Sequence, residues 1–321
     1  MNDNQVSSGP HFEEAVTQNQ DIILNKLKSN PGLPLSQTTR QTSQESHFIT
    51  LSQTKTSAIL QATKHVLGPS SNITHVCHAA LVLALLRASQ PSPSTRAART
   101  LYSPCWLNGR RYLKPTPSCP SPQTEYIPIC LSFAPIVFND IEELALSSTA
   151  SRHEIREKLL KACRVSTEQY IDIRERKSML PECVNLFEDI GRMMIESKQP
   201  TDQHSPNYNF QNKTPVTRES TQTAEPFLLS DGVTEQYISH TYPSSPSTSS
   251  SLATLSSEPI LTVQTVQFAA HAEQNLIVRM SSWRGSTTIS GEWRGEDYQD
   301  GEVVRFLEDV VDIVGFIMEG S

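Results

Sequence analysis

The sequence has 321 residues, a formal net charge of −7 and a hydrophobic fraction of 36%. This length accommodates one large or two modest domains, but the apolar fraction is low for a chain that is packed throughout. The negative charge and the absence of a basic stripe argue against nucleic-acid binding. The longest apolar run, Ala79 to Leu86, is too short to span a bilayer, which takes about 20 residues.

The amino-terminal sequence and the cysteines indicate a cellular compartment. The first residues contain no basic segment followed by an apolar one, so a secretory signal is not expected. The six cysteines include no Cys-x-x-Cys pair, so the usual spacing of a zinc site is missing. We therefore expect a cytoplasmic protein with reduced thiols and no bound metal.

The first predicted elements are helices separated by a short strand. A helix over residues 13–27 precedes a polar linker, so residues 1–46 are predicted to form an amino-terminal helix and linker. Residues 47–51 have the pattern of a strand, and residues 56–66 that of an amphipathic helix. Residues 74–88 are apolar on almost every side, which predicts a helix deep in the core.

The middle of the chain is predicted to contain two extended segments and then several helices. Residues 100–113 and 127–138 are extended, and the prolines between them predict an irregular loop. Ser151 and Glu154 form a capping box, which predicts a helix that runs to about Cys163. Two further helices are predicted near 167–178 and 182–196.

The last part of the chain alternates strand patterns with polar stretches. Strands are predicted at 227–230, 260–268, 276–282 and 286–293, with a hairpin turn at Trp283-Arg284-Gly285. The composition near 198–224 and 243–258 predicts flexible insertions. An apolar stripe predicts a closing helix over 301–318. We therefore expect one α/β lobe over residues 47–321, with a mixed sheet flanked by helices and built partly from 260–293.

Four segments occur in an order that resembles a known family. They are Ile73-Thr-His-Val-Cys-His-Ala-Ala, Leu107-Asn-Gly-Arg-Arg-Tyr-Leu113, Phe227-Leu-Leu-Ser-Asp-Gly232, and the final hairpin with its helix. Together they resemble the second lobe of the fungal trichothecene 15-O-acetyltransferases, within the BAHD and condensation-domain superfamily. The resemblance extends over residues 47–318. It implies a CoA-dependent acyltransferase fold, with acetyl-CoA as co-substrate and a small alcohol as acceptor.

The chemistry of that family depends on a His-x-x-x-Asp motif, whose histidine takes the proton from the acceptor hydroxyl as it attacks the thioester. None of the nine histidines in this chain has aspartate four positions later. In the family this histidine ends the first lobe, and we expect this chain to begin near that point. The nearest match is His153 with Glu157, which is either a displaced general base or, as is common for i,i+4 pairs, a solvated helix face.

Two other pairs are candidates for binding the substrates. Arg110 and Arg111 offer bidentate donors for the phosphates of CoA, and Arg110 matches an arginine of the family; a structural ion pair is the alternative. Trp283 and Trp293 flank the predicted hairpin. They either line an acceptor channel for an apolar polycycle or pack across the strands.

Three residues of the apolar helix are chemically reactive types. His75 and His78 are spaced as a metal pair, but the spacing places no third ligand, so core or capping roles are expected. Cys77 is predicted to be a buried structural thiol, because a nucleophilic cysteine needs an exposed, electropositive setting.

Two classes of function remain open from the sequence. One is an O-acyltransferase of fungal secondary metabolism, such as mycotoxin biosynthesis, that transfers an acetyl group from CoA to a hydroxyl of a terpenoid or polyketide. The other is a non-catalytic remnant or binding subunit with the same fold, and a shortened gene would leave the same sequence. A lobe without its partner lobe is expected to expose an apolar face and to associate through it.

Overall fold

A mixed six-stranded sheet organises the structure, which is a computed structural model that describes residues 7–35, 43–89, 99–113, 116, 131–196, 223–243, 259–272 and 275–319. The helices are α1 (Pro10–Asp21), α2 (Gln53–Leu67), α3 (Ile73–Ala88), α4 (Ile141–Leu144), α5 (Arg152–Glu175), α6 (Met179–Glu196) and α7 (Asp300–Gly315). The strands are β1 (Leu33–Pro34), β2 (Gln44–Leu51), β3 (Thr100–Asn108), β4 (Leu131–Asn139), β5 (Thr223–Ala224), β6 (Phe227–Val233), β7 (Thr241–Pro243), β8 (Pro259–Thr262), β9 (Ile277–Trp283) and β10 (Ser286–Arg294). Short 3-10 helices span Leu27–Ser29, Gly109–Tyr112, Thr234–Gln236 and Phe316–Met318, and a π-helical turn spans Ile22–Lys26.

The strand order of the main sheet is β2-β10-β9-β6-β3-β4. Strand β6 runs parallel to both of its neighbours, and every other pair in this sheet is antiparallel. The sheet is therefore mixed, as the sequence predicts. Arg284 and Gly285 have φ angles of 50° and 74°, which a two-residue turn between β9 and β10 requires. The predicted hairpin is confirmed.

The main hydrophobic core lies between one face of the sheet and helices α2, α3, α5 and α7. Helix α3 is buried on all sides, and Leu81 and Leu85 are among its core residues. On α7, Val311 is buried and Val304 is half-buried. The predicted packing of these two helices is confirmed. Within the described ranges, no helix is long and apolar enough to cross a membrane.

A second layer covers the opposite face of the sheet at β3 and β4. Successive strand residues point to opposite faces, and β4 shows this with Phe133 and Ala134. Ala134 joins the main core, whereas Phe133 packs with Cys183 and Leu186 of α6. Helix α1 lies against α6, where the Asn19 side chain donates to the buried Glu182 carboxylate at 3.1 Å. The amino-terminal helix is thus part of the packed structure.

The predicted helix break between Cys163 and residue 167 is wrong, because α5 continues without interruption to Glu175. Hydroxyl residues in this stretch favour a break, but here their hydroxyls are satisfied inside the core. Ser166 donates to the carbonyl oxygens of Cys163 and His75, both at 3.1 Å. Helix α5 therefore continues without a break over Ser166 and Thr167.

The predicted strand over 260–268 is also wrong for most of its length. Only Pro259–Thr262 is a strand, and it pairs with β7 in a separate two-stranded sheet. The following residues form an irregular strap that is tied to the hairpin, where the Trp283 indole N–H donates to the Gln264 carbonyl at 3.0 Å. Of the predicted segment 260–293, β9 and β10 belong to the main sheet, whereas 260–268 does not. Most of the insertions predicted near 198–224 and 243–258 lies outside the described residues.

Gly291 in β10 is expected to tolerate no side chain. A Cβ atom there would lie 2.7 Å from Cδ1 of Leu307, which is fully buried in α7. We expect Gly291→Ala to lower the free energy of unfolding by about 1–3 kcal/mol in urea denaturation, because overpacking forces the core to shift. Gly301→Ala is the matched control. Its Cβ would meet nothing within 4 Å, so the change should not lower the free energy of unfolding. Equal effects of the two substitutions would contradict this packing.

Candidate functional site

A cleft of about 820 Å³ opens where the end of β6 meets the amino-terminal end of α3. Its other walls come from α2, from the carboxy-terminal end of α5, and from β3 and the β9–β10 hairpin. The volume is within the usual range of about 300–1,000 Å³ for small-molecule sites.

The amino terminus of α3 is held at the cleft by its capping residue. The Asn72 side-chain oxygen accepts from the backbone N–H groups of Thr74 at 2.9 Å and His75 at 3.3 Å. The Thr74 hydroxyl is hydrogen-bonded to the Ser230 hydroxyl of β6 at 3.1 Å. The positive end of a four-turn helix therefore lies at the cleft, where it favours an anionic group.

The β6 wall of the cleft contains an irregularity that an ion-pair network fixes. The strand register shifts between Ser230 and Gly232, and Gly232 has a φ of 71°. Between them, both carboxylate oxygens of Asp231 accept from Nη1 of Arg279, at 2.9 and 3.0 Å. On its other side, Arg279 Nε lies 3.6 Å from Oε2 of the buried Glu292. The negative charge of Asp231 is thus compensated from the neighbouring strand.

Part of the lining of the cleft is apolar. The apolar residues that line it are Leu60, Trp106, Leu107, Leu228 and Met280. The half-buried Trp106 is held by two rings of the second layer. Phe133 meets it edge-on at a centroid distance of 5.1 Å, and Phe187 stacks on it at 5.9 Å.

Two cations lie at the rim of the cleft. Lys64 of α2 and Arg174 of α5 are exposed and line it. Neither forms an ion pair within the part of the chain that the structure describes. Glu235 also lines the cleft, but its carboxylate accepts from the backbone N–H of Arg284. The rim near α3 can therefore attract an anion.

His75 lines the floor of the cleft and is almost fully buried. Its Nδ1 is hydrogen-bonded to the Thr167 hydroxyl at 3.2 Å, and its ring stacks on Tyr170 at 4.8 Å. Burial, assisted by the charge of Arg174, lowers the pKa of His75 to about 4. The ring is therefore neutral at pH 7 and a weak base.

His78 and Cys77 lie in the core behind the cleft. His78 Nδ1 is hydrogen-bonded to the Tyr170 hydroxyl at 2.9 Å, and Nε2 to the Ser103 hydroxyl at 2.7 Å. The predicted core role of the two histidines is confirmed. Among the residues described, no group of three potential ligands could hold a metal ion. Cys77 is buried, as predicted, and burial raises its pKa to about 12.

His153 lies far from the cleft. Its side chain is 81% exposed, and Nδ1 is 3.4 Å from Oε2 of Glu157. The 17 residues along α5 from His153 to Tyr170, which lines the cleft, correspond to about 25 Å at the helical rise. The structure thus places this pair on a solvated helix face.

The structure keeps Trp283 and Trp293 apart. In the sheet register, Trp283 is opposite Ser286 and Trp293 is opposite Glu45, so the two rings do not pack across the hairpin. Trp293 is 2% exposed in the main core, and Trp283 packs on His240 at a centroid distance of 4.7 Å. A role for either ring in an acceptor channel stays a prediction.

Arg110 and Arg111 lie in the 3-10 helix that follows β3, and their side chains fall outside the described residues. Their contact with CoA also stays a prediction. The sequence does not point to Lys64, Trp106 or Arg174, because nothing near them in the chain marks these three side chains. Asn72, which follows Gly68-Pro69, is a local signal for the α3 end of the cleft.

The architecture defines the class of the protein. The chain superimposes on the TRI3 trichothecene 15-O-acetyltransferase of Fusarium sporotrichioides with a TM-score of 0.74 and 21% identity, over 97% of this chain and 54% of that one. The epimerization domain from the third module of tyrocidine synthetase B gives a TM-score of 0.51 and 13% identity, over 98% and 56%. The fold is therefore that of a condensation-domain-like acyltransferase lobe.

Sequence comparison then gives the family. The chain is 23% identical to the trichothecene 15-O-acetyltransferase TRI3 of Fusarium sporotrichioides over 312 residues, which are 95% of this chain and 52% of that protein. The profile of the family described as 15-O-acetyltransferase Tri3 matches residues 1–187, more than half of the sequence. The chain belongs to this family. It spans about half the length of the curated relatives that it matches.

Proposed function

We propose that this chain forms the acyl-CoA-binding lobe of an O-acetyltransferase of fungal secondary metabolism. The enzyme would act in the cytoplasm and transfer an acetyl group from acetyl-CoA to a hydroxyl of a terpenoid or polyketide. One observation carries the proposal: the cleft joins the amino terminus of α3 to two exposed cations, Lys64 and Arg174. CoA is a polyanion, and a helix amino terminus beside exposed cations favours its phosphates. The family of the chain supports the same co-substrate.

The proposed reaction needs one proton to move. The acceptor oxygen forms a bond to the acetyl carbonyl carbon, and the C–S bond of the thioester then breaks. The hydroxyl proton passes to a general base and from there to the departing CoA thiolate. The lobe would contribute by holding the acetyl-CoA and by orienting the acceptor.

We propose that the base comes from residues outside this chain. His75 is at the cleft, but a pKa of about 4 makes it a poor proton acceptor at neutral pH. His153 is about 25 Å away along α5. The His-x-x-x-Asp motif is absent from all 321 residues.

Titration calorimetry with acetyl-CoA tests the proposed cleft. We expect Lys64→Glu and Arg174→Glu each to weaken binding about tenfold or more, because each loses a charge-assisted contact and adds repulsion. Arg164→Glu is the matched control, since it changes the net charge equally on the exposed side of α5, away from the cleft. If all three variants bind as wild type does, or if the wild type does not bind, the proposed co-substrate site is wrong.

A second candidate function is a non-catalytic binding subunit, which the missing motif favours. Apolar side chains near the mouth of the cleft and on the β7–β8 pair are exposed, and they offer a surface for the rest of a longer protein or for a partner: Val233, Tyr237, Tyr242, Ile260 and Leu261. Mixing the chain with the first half of the Fusarium relative separates the two functions. A gain of acetyl transfer supports the acetyltransferase, and stable association without transfer favours the binding subunit.

A further inference from the structure

The Glu225 carboxyl is buried where the amino-terminal part of the chain meets the sheet. Glu225 lies between β5 and β6 and is 7% exposed, and its Oε2 accepts from Nδ2 of Asn30 at 2.7 Å. Its other oxygen, Oε1, is buried and has no hydrogen-bond partner among the residues that the structure describes. Because a buried carboxylate with a free oxygen is costly, this site favours the neutral, protonated carboxyl.

The Asn30 side chain connects this carboxyl to β3. Asn30 directly follows the 3-10 helix Leu27–Ser29, and its Oδ1 accepts from the backbone N–H of Tyr102 at 3.1 Å. Its Nδ2 donates to the Tyr102 carbonyl at 3.0 Å as well as to Glu225. These two bonds use both N–H groups of the amide. Asn30 thus forms an amide bridge between the buried carboxyl and the main sheet.

The backbone around Asn30 also lies close to the sheet. Strands β1 and β5 pair antiparallel, with Leu33 opposite Ala224. A Cβ on Gly32 would lie 2.8 Å from the carbonyl carbon of Ala224, so the two segments are in direct contact. Residues 27–35, which we call the clasp, are therefore held by one short strand pair, by the buried Leu33 and by the amide bridge.

The groups that meet Glu225 from the neighbouring elements bring no charge. Asn30 and Asn275 are amides, and Asn275, just before β9, donates to the Glu225 backbone oxygen at 2.8 Å. Tyr102 of β3, the one of these residues that titrates, takes part through its backbone. Burial raises the pKa of Glu225 from 4.5 to about 8, and the hydrogen bond from Asn30 opposes this shift.

We propose that the protonated Glu225 carboxyl holds the clasp on the sheet, and that loss of this proton releases the clasp. The proposal concerns the conformation of the lobe and does not depend on the proposed function. With the clasp closed, the carboxyl keeps its proton up to about pH 8, whereas a released carboxyl loses it above about pH 4.5. Release therefore becomes more favourable as the pH rises between these values, and it no longer changes above pH 8.

Hydrogen–deuterium exchange of the full chain from pH 5.5 to 9 tests the proposal, with protection factors corrected for the intrinsic exchange rate. We expect the protection of residues 27–35 to fall about tenfold for each pH unit up to about pH 8 and then to level off. Glu225→Gln is neutral at every pH, so its clasp should show no such fall. Glu292→Gln, which changes a different buried carboxyl in β10, is the matched control and should keep the wild-type slope.

Two results would overturn the proposal. One is an equal pH dependence of clasp protection in wild type and Glu225→Gln. The other is clasp protection as high as that of α3 at every pH, because the clasp would then open only when the whole lobe unfolds. If Glu225→Gln does not fold, the wild-type profile decides. A fall that levels off near pH 8 supports the proposal, and a constant protection factor or a fall that continues to pH 9 contradicts it.

Discussion

Below pH 6.5, the wild-type chain is expected to lose free energy of unfolding faster than a His78→Gln variant, by about 1.4 kcal/mol for each pH unit. His78 is fully buried, and burial, assisted by His75, lowers its pKa from 6.5 to about 3. Between these two values, the unfolded chain binds a proton that the folded chain does not bind. Stability from this group is therefore lost as the pH falls through 6.5. The difference reaches about 3 kcal/mol at pH 4.5.

Urea denaturation from pH 7.5 to 4.5 measures this difference as a difference of slopes. The other titratable groups contribute the same pH dependence to the free energy of unfolding of both proteins, so their contributions cancel in the difference. The lowered pKa of His75 acts in the same direction, whereas burial raises the pKa of Glu225 to about 8, which favours the folded state at lower pH. His153→Gln, at an exposed position, is the control for the exchange of histidine for glutamine itself. Parallel slopes for wild type and His78→Gln would contradict the buried, neutral state of this histidine.

The sequence predicts the main core well because its signals are local. The all-round apolar pattern of 74–88 and the stripe of 301–318 each specify a helix that must be buried, and both are. The hairpin at Arg284-Gly285 follows from turn chemistry. Ser151 caps α5 by accepting from the Glu154 N–H at 3.2 Å, as the capping box predicts.

The predictions from sequence are wrong where contacts with distant residues override a local structural preference. Ser166 and Thr167 favour a helix end by themselves, but contacts with His75 of another helix keep α5 continuous. The residues after Thr262 have a strand-like composition, yet the Trp283 and Arg284 side chains hold them as an irregular strap. Neither contact can be predicted from nearby sequence.

The sequence predicts two segments that meet at the cleft, but not the site itself, for the same reason. The cap at Asn72 and the segment around Ser230 are visible in the sequence, and the structure brings them together. Lys64, Trp106 and Arg174 come from three different elements. They line one cleft only after the helices pack on the sheet, so spacing along the chain carries no signal for them.

The isolated chain is expected to transfer acetyl groups weakly or not at all. Removing general-base catalysis costs about 10²–10⁴-fold in rate, and the residues of this chain supply no histidine with the required aspartate partner. His75 is neutral but too weakly basic, with a pKa of about 4. Substrate positioning by a single lobe is incomplete as well, which lowers the rate further.

His153→Ala and His75→Gln identify any base that remains. We expect no change of rate in His153→Ala, because this histidine is 81% exposed and about 25 Å from the cleft along α5. A rate that His153→Ala abolishes would show that this pair is the base. A rate that only His75→Gln abolishes would assign that role to the buried ring at the cleft floor.

The most direct measurement of the central claim is binding and turnover of radiolabelled acetyl-CoA on one preparation of this chain, with a terpenoid alcohol present. The proposal that the chain binds the co-substrate and lacks the base predicts saturable binding that Arg174→Glu weakens, together with transfer near the background rate. Robust transfer that survives both His153→Ala and His75→Gln, or no binding of acetyl-CoA at all, would contradict it.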